Sequence, residues 1–178
     1  RELPPLAFPS ELTQIADGRC SYRGLDLCDL SRERTFEEVA TWLWRAEWPT
    51  EPPIWRLDPV LAAPCEAAVA LVPDDALPLD RIRVTVAVAA ANDPLRHDTS
   101  SAATVDAARR ILRLAVHTLP PIGKAAPSKE PRRRLAEVLW PRLTAMRAPP
   151  ERVAVLDAAL VLLAARQTGP ARAPDLPD

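Results

Sequence analysis

The chain has 178 residues, enough for one ordinary core and too few for two large ones. Its 48% hydrophobic and 26% charged residues with a net charge of -1 describe a soluble globular protein, and the basic excess that draws proteins to nucleic acid or to an anionic membrane is missing. Cys20, Cys28 and Cys65 are odd in number, show no C-x-x-C spacing and have no histidine beside them, which excludes a disulfide framework and a zinc site and leaves packed, reduced thiols of a cytoplasmic protein. No charged start leads into an apolar signal core, and the longest apolar run, Ala158 to Ala165, is far short of a membrane span. A first residue Arg1 in place of methionine reads as part of a longer product.

In chain order, residues 1–11 form an extended, proline-containing lead. Leu12 to Tyr22 alternates weakly around Asp17-Gly18, which predicts a two-stranded ribbon over residues 13 to 24. Thr35-x-x-Glu38 makes a capping box ahead of Phe36, Val39, Ala40 and Leu43, spaced for one helical face, and this helix should run to about Glu47 and stop before Pro49. Trp42 and Trp44 cannot both face the core from it. A short helix is expected at Pro64 to Val72. Pro78 to Asn92 is ambiguous: Ile82, Val84, Val86 and Val88 alternate as in a strand, whereas Leu79, Ile82, Val86 and Ala89-Ala90 fit a helix begun by Pro78. Ser100 or Ser101 caps a helix through Leu119 whose stripe is Val105, Ala108, Leu112, Ala115 and Leu119. After a loop from Ala125 to Arg134, Ser128, Glu130 and Pro131 open a helix with the face Leu135, Val138, Leu139 and Leu143, bent at Pro141. Glu151 to about Gln167 is the last helix, apolar nearly all round, and residues 168–178 are a disordered tail.

The order Asp17-Gly18, Tyr22-Arg23-Gly24, Asp29-Leu30, Phe36-Glu37-Glu38-Val39 and Pro49-Thr50 resembles the opening of the citrate synthase family. Within that resemblance, Pro78 to Pro94 looks like the family's helix ending in a D-P turn, which decides the ambiguous segment for helix. The implied fold is mainly all-α, the N-terminal part of the family's large domain over residues 12–167 with a small N-terminal β-hairpin. The family has a subgroup in which a helix-turn-helix precedes the synthase, and these residues contain none. The implied reaction is the Claisen condensation of acetyl-CoA, or another acyl-CoA, with oxaloacetate. Acetyl-CoA is then a co-substrate, and no further cofactor is implied. The implied assembly is a homodimer, or a heteromer with a full-length or complementary synthase chain, with neither nucleic acid nor membrane as partner.

The family polarises the thioester with a histidine that follows an apolar helix of the type L-D-x-A-L-V-L-L-A, and Leu156 to Ala164 matches that approach closely. Beyond it stand Ala165-Arg166-Gln167, so Arg166 occupies the histidine's place. A guanidinium stays protonated and cannot alternate between donor and acceptor, so no catalytic residue is expected here and the chain alone should be inactive. The resemblance covers about residues 12 to 164, less than half of a full family member.

The residues outside that motif offer little chemistry. His117 reads as a solvated or capping residue near a helix C-terminus. His97, in the turn N-D-P-L-R-H-D, has Asp98 beside it to orient it but no nucleophile in view. Asp157, alone among apolar residues, reads as a structural polar group, and the run Arg132-Arg133-Arg134 with Lys124 and Lys129 as a solvated helix start diluted by Glu130 and Glu137.

Overall fold

The computed structural model describes residues 12–16, 18–122 and 133–164. It is mostly helical, with a small antiparallel sheet at the N-terminal end, and its chain divides into two compact units: residues 1–53 with 154–178, and residues 54–153. Residues 1–11 with the expected extended lead, Asp17, residues 123–132 with most of the expected loop and the helix start expected at Ser128 to Pro131, and residues 165–178 with the expected tail lie outside the described residues.

The first unit begins with a ribbon of β1 (Thr13–Ala16) and β2 (Arg19–Tyr22), paired from Thr13↔Tyr22 to Ala16↔Arg19, which leaves a two-residue tip where Gly18 takes φ 72°. A third strand, β3 (Leu25–Asp26), extends the expected two-stranded ribbon. It forms because Arg23 at φ 45° and Gly24 at φ 82° reverse the chain so that Leu25 pairs with Tyr22. The sheet runs into α1 (Leu27–Glu33), whose first turn is capped by the Asp26 carboxylate accepting from the N–H groups of Cys28 and Asp29 and which buries Leu27 and Leu30.

Next, α2 (Phe36–Arg45) starts at the expected capping box: Thr35 Oγ1 accepts from the Glu38 N–H, and the Glu38 carboxylate accepts from the Thr35 N–H at 2.9 Å. It ends short of Glu47 because Ala46 turns left-handed, at φ 61°. Val39, Ala40 and Trp42 go inside, while Trp44 is exposed, so the two tryptophans face opposite ways as the helical period requires. Trp42 stacks on Trp48 at 4.6 Å between centroids, and the Arg34 guanidinium lies 4.8 Å over the Trp48 ring. The core of this unit is Tyr22, Leu27, Leu30, Val39 and Trp42 with Val161 of α7 (Pro150–Leu163).

The second unit opens with α3 (Pro59–Val69), five residues earlier than the expected Pro64 start. Asp58 accepts from the Val60 and Leu61 N–H groups, and Pro59 fits the first helical position, so Pro64 falls inside the helix. Segment α4 (Pro78–Asn92) is a helix, as the family resemblance implied and the valine alternation did not. Its buried face is Arg81, Thr85 and Ala89, four residues apart, while Leu79 and Val86 are exposed. The polar face is viable because it is bonded: Arg81 Nη2 donates to Pro73 O at 2.6 Å, and Thr85 Oγ1 contacts Arg81 O and Thr118 Oγ1 at 2.9 and 2.7 Å. Helix α5 (Ser101–His117) is capped by Ser100 and buries Val105, Leu114 and Ala115, with Leu112 only half-buried. Leu61, Ala62, Cys65, Ala89 and Leu114 form this unit's core.

Helix α6 (Leu135–Leu143) buries Leu135, Ala136 and Val138, but Leu143, expected inside, is exposed and Arg142 takes the interior place. The last helix, α7, is described to Leu163 rather than Gln167. None of the described helices is long and apolar enough to cross a membrane.

Candidate functional site

The L-D-A-A-L-V-L-L-A run closes α7, and within the first unit three neighbouring residues hold helix ends. Tyr22, fully buried, donates from its hydroxyl to Val161 O at 3.2 Å. Val161 lies in the last turn of α7, and its carbonyl also accepts from the Ala164 N–H at 3.3 Å, so the phenol adds a second donor at this helix end. The next residue, Arg23, donates from Nη2 to Leu43 O at 3.1 Å in the last turn of α2, and Gly24 supplies the turn that lets both side chains point as they do. Asp157, 5% exposed, accepts from the Phe36 N–H at 3.2 Å and so meets one of the free donors at the start of α2. The Tyr22-Arg23-Gly24 motif thus holds helix ends, and Asp157 has the structural role expected of it. Arg166 lies outside the described residues.

The remaining candidates are dispersed. His97 is exposed, and its Nε2 lies 3.0 Å from the Arg96 Nε donor. Asp98 turns to Ser100 instead: its carboxylate accepts from the Ser100 N–H at 2.9 Å, and the backbone and side-chain bonds from Ser100 hold its carboxyl below the usual carboxylate range. His117, in the last turn of α5, meets Glu66 of α3 at 2.5 Å. Of the basic run, Lys124, Lys129 and Arg132 lie outside the described residues, while the Arg134 N–H donates to Glu137 Oε2 at 2.9 Å at the start of α6. No group of three or more His, Cys, Asp or Glu side chains able to hold a metal occurs among the described residues.

Two features were not anticipated. A groove of about 450 Å³ beside the ribbon is lined by Gly18, Arg19, Cys20, Asp26, Cys28 and Asp29 among others. Arg142 reaches back to the end of α5, donating to His117 O, Leu119 O and Val138 O at 2.8, 2.9 and 2.6 Å. Burial, with Arg113 nearby, lowers the Arg142 pKa. A guanidinium following Pro141 within an apolar helix was the signal available for the second feature.

The described residues form a mostly helical scaffold whose last helix carries the L-D-A-A-L-V-L-L-A run. The chain matches the family described as citrate synthase, C-terminal domain, over residues 6–167, and it belongs to that family. The comparison with curated proteins finds no match.

Proposed function

We propose that this chain supplies scaffold of a citrate synthase-type transferase in the cytoplasm, the N-terminal part of the family's large domain, and that alone it does not condense acyl-CoA with oxaloacetate. The placement of its imidazoles supports this reading. The sequence has 2 histidines. One is solvent-exposed beside Arg96 and the other binds Glu66, and neither stands on α7, whose end approaches the place that Arg166 takes from the family's histidine. Without an imidazole there, nothing alternates between acid and base at the thioester carbonyl. Calorimetry with CoA and with oxaloacetate should find no binding, or binding only in the millimolar range, about -4 kcal/mol or weaker. Micromolar affinity for either ligand contradicts the reading.

A second reading, a non-catalytic subunit that pairs with its own copy or with a complete synthase, is favoured by apolar side chains in solvent: Leu79 and Val86 on α4, and Val155, Leu162 and Leu163 on α7. Light scattering after gel filtration should give a dimer with an isologous contact, weakened by Val86→Asp and Leu112→Asp with circular dichroism unchanged. A monodisperse monomer indifferent to both substitutions rules this interface out.

A further inference from the structure

The register of the ribbon brings two thiols to one place. β2 and β3 pair as Ser21↔Asp26 and Tyr22↔Leu25, so Cys20, the residue of β2 before Ser21, lies beside the point where β3 passes into α1. Cys28 is the second residue of α1. Facing residues of antiparallel strands stand about 5 Å apart at Cα, and Cys20 and Cys28 lie one and two residues beyond the facing pair Ser21 and Asp26, so the ribbon brings the two cysteines close together. Both residues line the same groove, together with Arg19, Asp26 and Asp29. Both are free thiols, and they are unequally placed: Cys28 is exposed and Cys20 half-buried. Burial pushes the Cys20 thiol up, and the Asp26 carboxylate and Cys28 push it the same way. Cys65 is the contrast: it is fully buried in the core of the second unit, and its Sγ contacts Thr85 O at 3.6 Å.

We propose that Cys20 and Cys28 form a two-thiol modification site at which a hydroperoxide installs a disulfide between β2 and the first turn of α1. Cys28, open to solvent, gives up its proton, and its thiolate attacks one oxygen of hydrogen peroxide. The O–O bond breaks, the departing oxygen takes a proton and leaves as water, and Cys28 becomes a sulfenic acid. Cys20 then attacks the Cys28 sulfur: the S–S bond forms, the S–O bond breaks, and the hydroxide leaves as a second water with the Cys20 proton. Two thiols lose two electrons, and the peroxide gains them. The half-buried Cys20, with its raised pKa, is the slower attacker and therefore the resolving partner. The bridge closes a loop over residues 20 to 28 that contains Tyr22 and Arg23, the residues capping α7 and α2, so oxidation tethers the turn on which those caps depend.

The folded full-length chain treated with hydrogen peroxide, then alkylated and mapped without reduction, tests this. A Cys20–Cys28 cross-linked peptide within one chain, with Cys65 as the remaining alkylatable thiol, is the expected result. In Cys20→Ser, dimedone should label Cys28, and in Cys65→Ser the link should form as in the parent. The proposal is overturned if Cys20 and Cys28 both stay alkylatable after peroxide, if they link only in denaturant, or if Cys28 links only between chains.

Discussion

Replacing Tyr22 with alanine should destabilise the first unit by about 3–5 kcal/mol, the range for truncating a buried aromatic side chain. Tyr22 is fully buried, and its ring packs in the cluster of Leu27, Leu30, Val39, Trp42 and Val161. Truncation opens a cavity there and also removes the hydroxyl from Val161 O. Tyr22→Phe separates the two contributions, because it keeps the ring and loses one hydrogen bond, about 1 kcal/mol. Urea unfolding followed by tryptophan fluorescence measures both, since Trp42 and Trp48 stack in this unit. A loss below about 1 kcal/mol for Tyr22→Ala would contradict the packing role, because even a partly collapsed site should cost more.

Arg142→Met should cost about 3 kcal/mol. Hydrogen bonds to a charged group contribute about 1.5–3 kcal/mol each, and the three that are lost do not add in full. The stem still packs in the variant, but the His117, Leu119 and Val138 carbonyls lose the guanidinium that serves them. Arg142→Lys should fall between, because an ammonium on a flexible stem cannot address carbonyls in three directions with a planar fork. Circular dichroism in urea reads the order arginine, lysine, methionine. Equal stability of Arg142→Met and the parent would show that the guanidinium does not stabilise the end of α5.

Both residues mark the limit of what sequence patterns convey. The capping box at Thr35 and the Ser100 cap were legible because they are local: a short side chain meets an N–H two or three residues on, and spacing alone specifies it. The inward face of α4 was not, because Arg81 and Thr85 are buried by bonds to Pro73 and Thr118, and a hydrophobic pattern cannot register a polar face satisfied from outside the helix. The strand-like valines there were overridden by the family likeness alone. Likewise α1 has too few residues to show a period, and only the Asp26 cap announces it. As for the site, Tyr22-Arg23-Gly24 was readable as a motif and Asp157 as a structural carboxylate. Their partners lie 139, 20 and 121 residues away for Tyr22, Arg23 and Asp157, distances over which sequence carries no pairing information.

The chain belongs to the citrate synthase family, and of its histidines His97 is exposed beside Arg96 and His117 meets Glu66. Release of thiol from acetyl-CoA in the presence of oxaloacetate, followed for the pure chain, tests the proposed lack of activity most directly. The rate should equal the buffer blank. Turnover above the blank that persists through further purification would contradict it, and would mean that Arg166 or another residue takes the histidine's part.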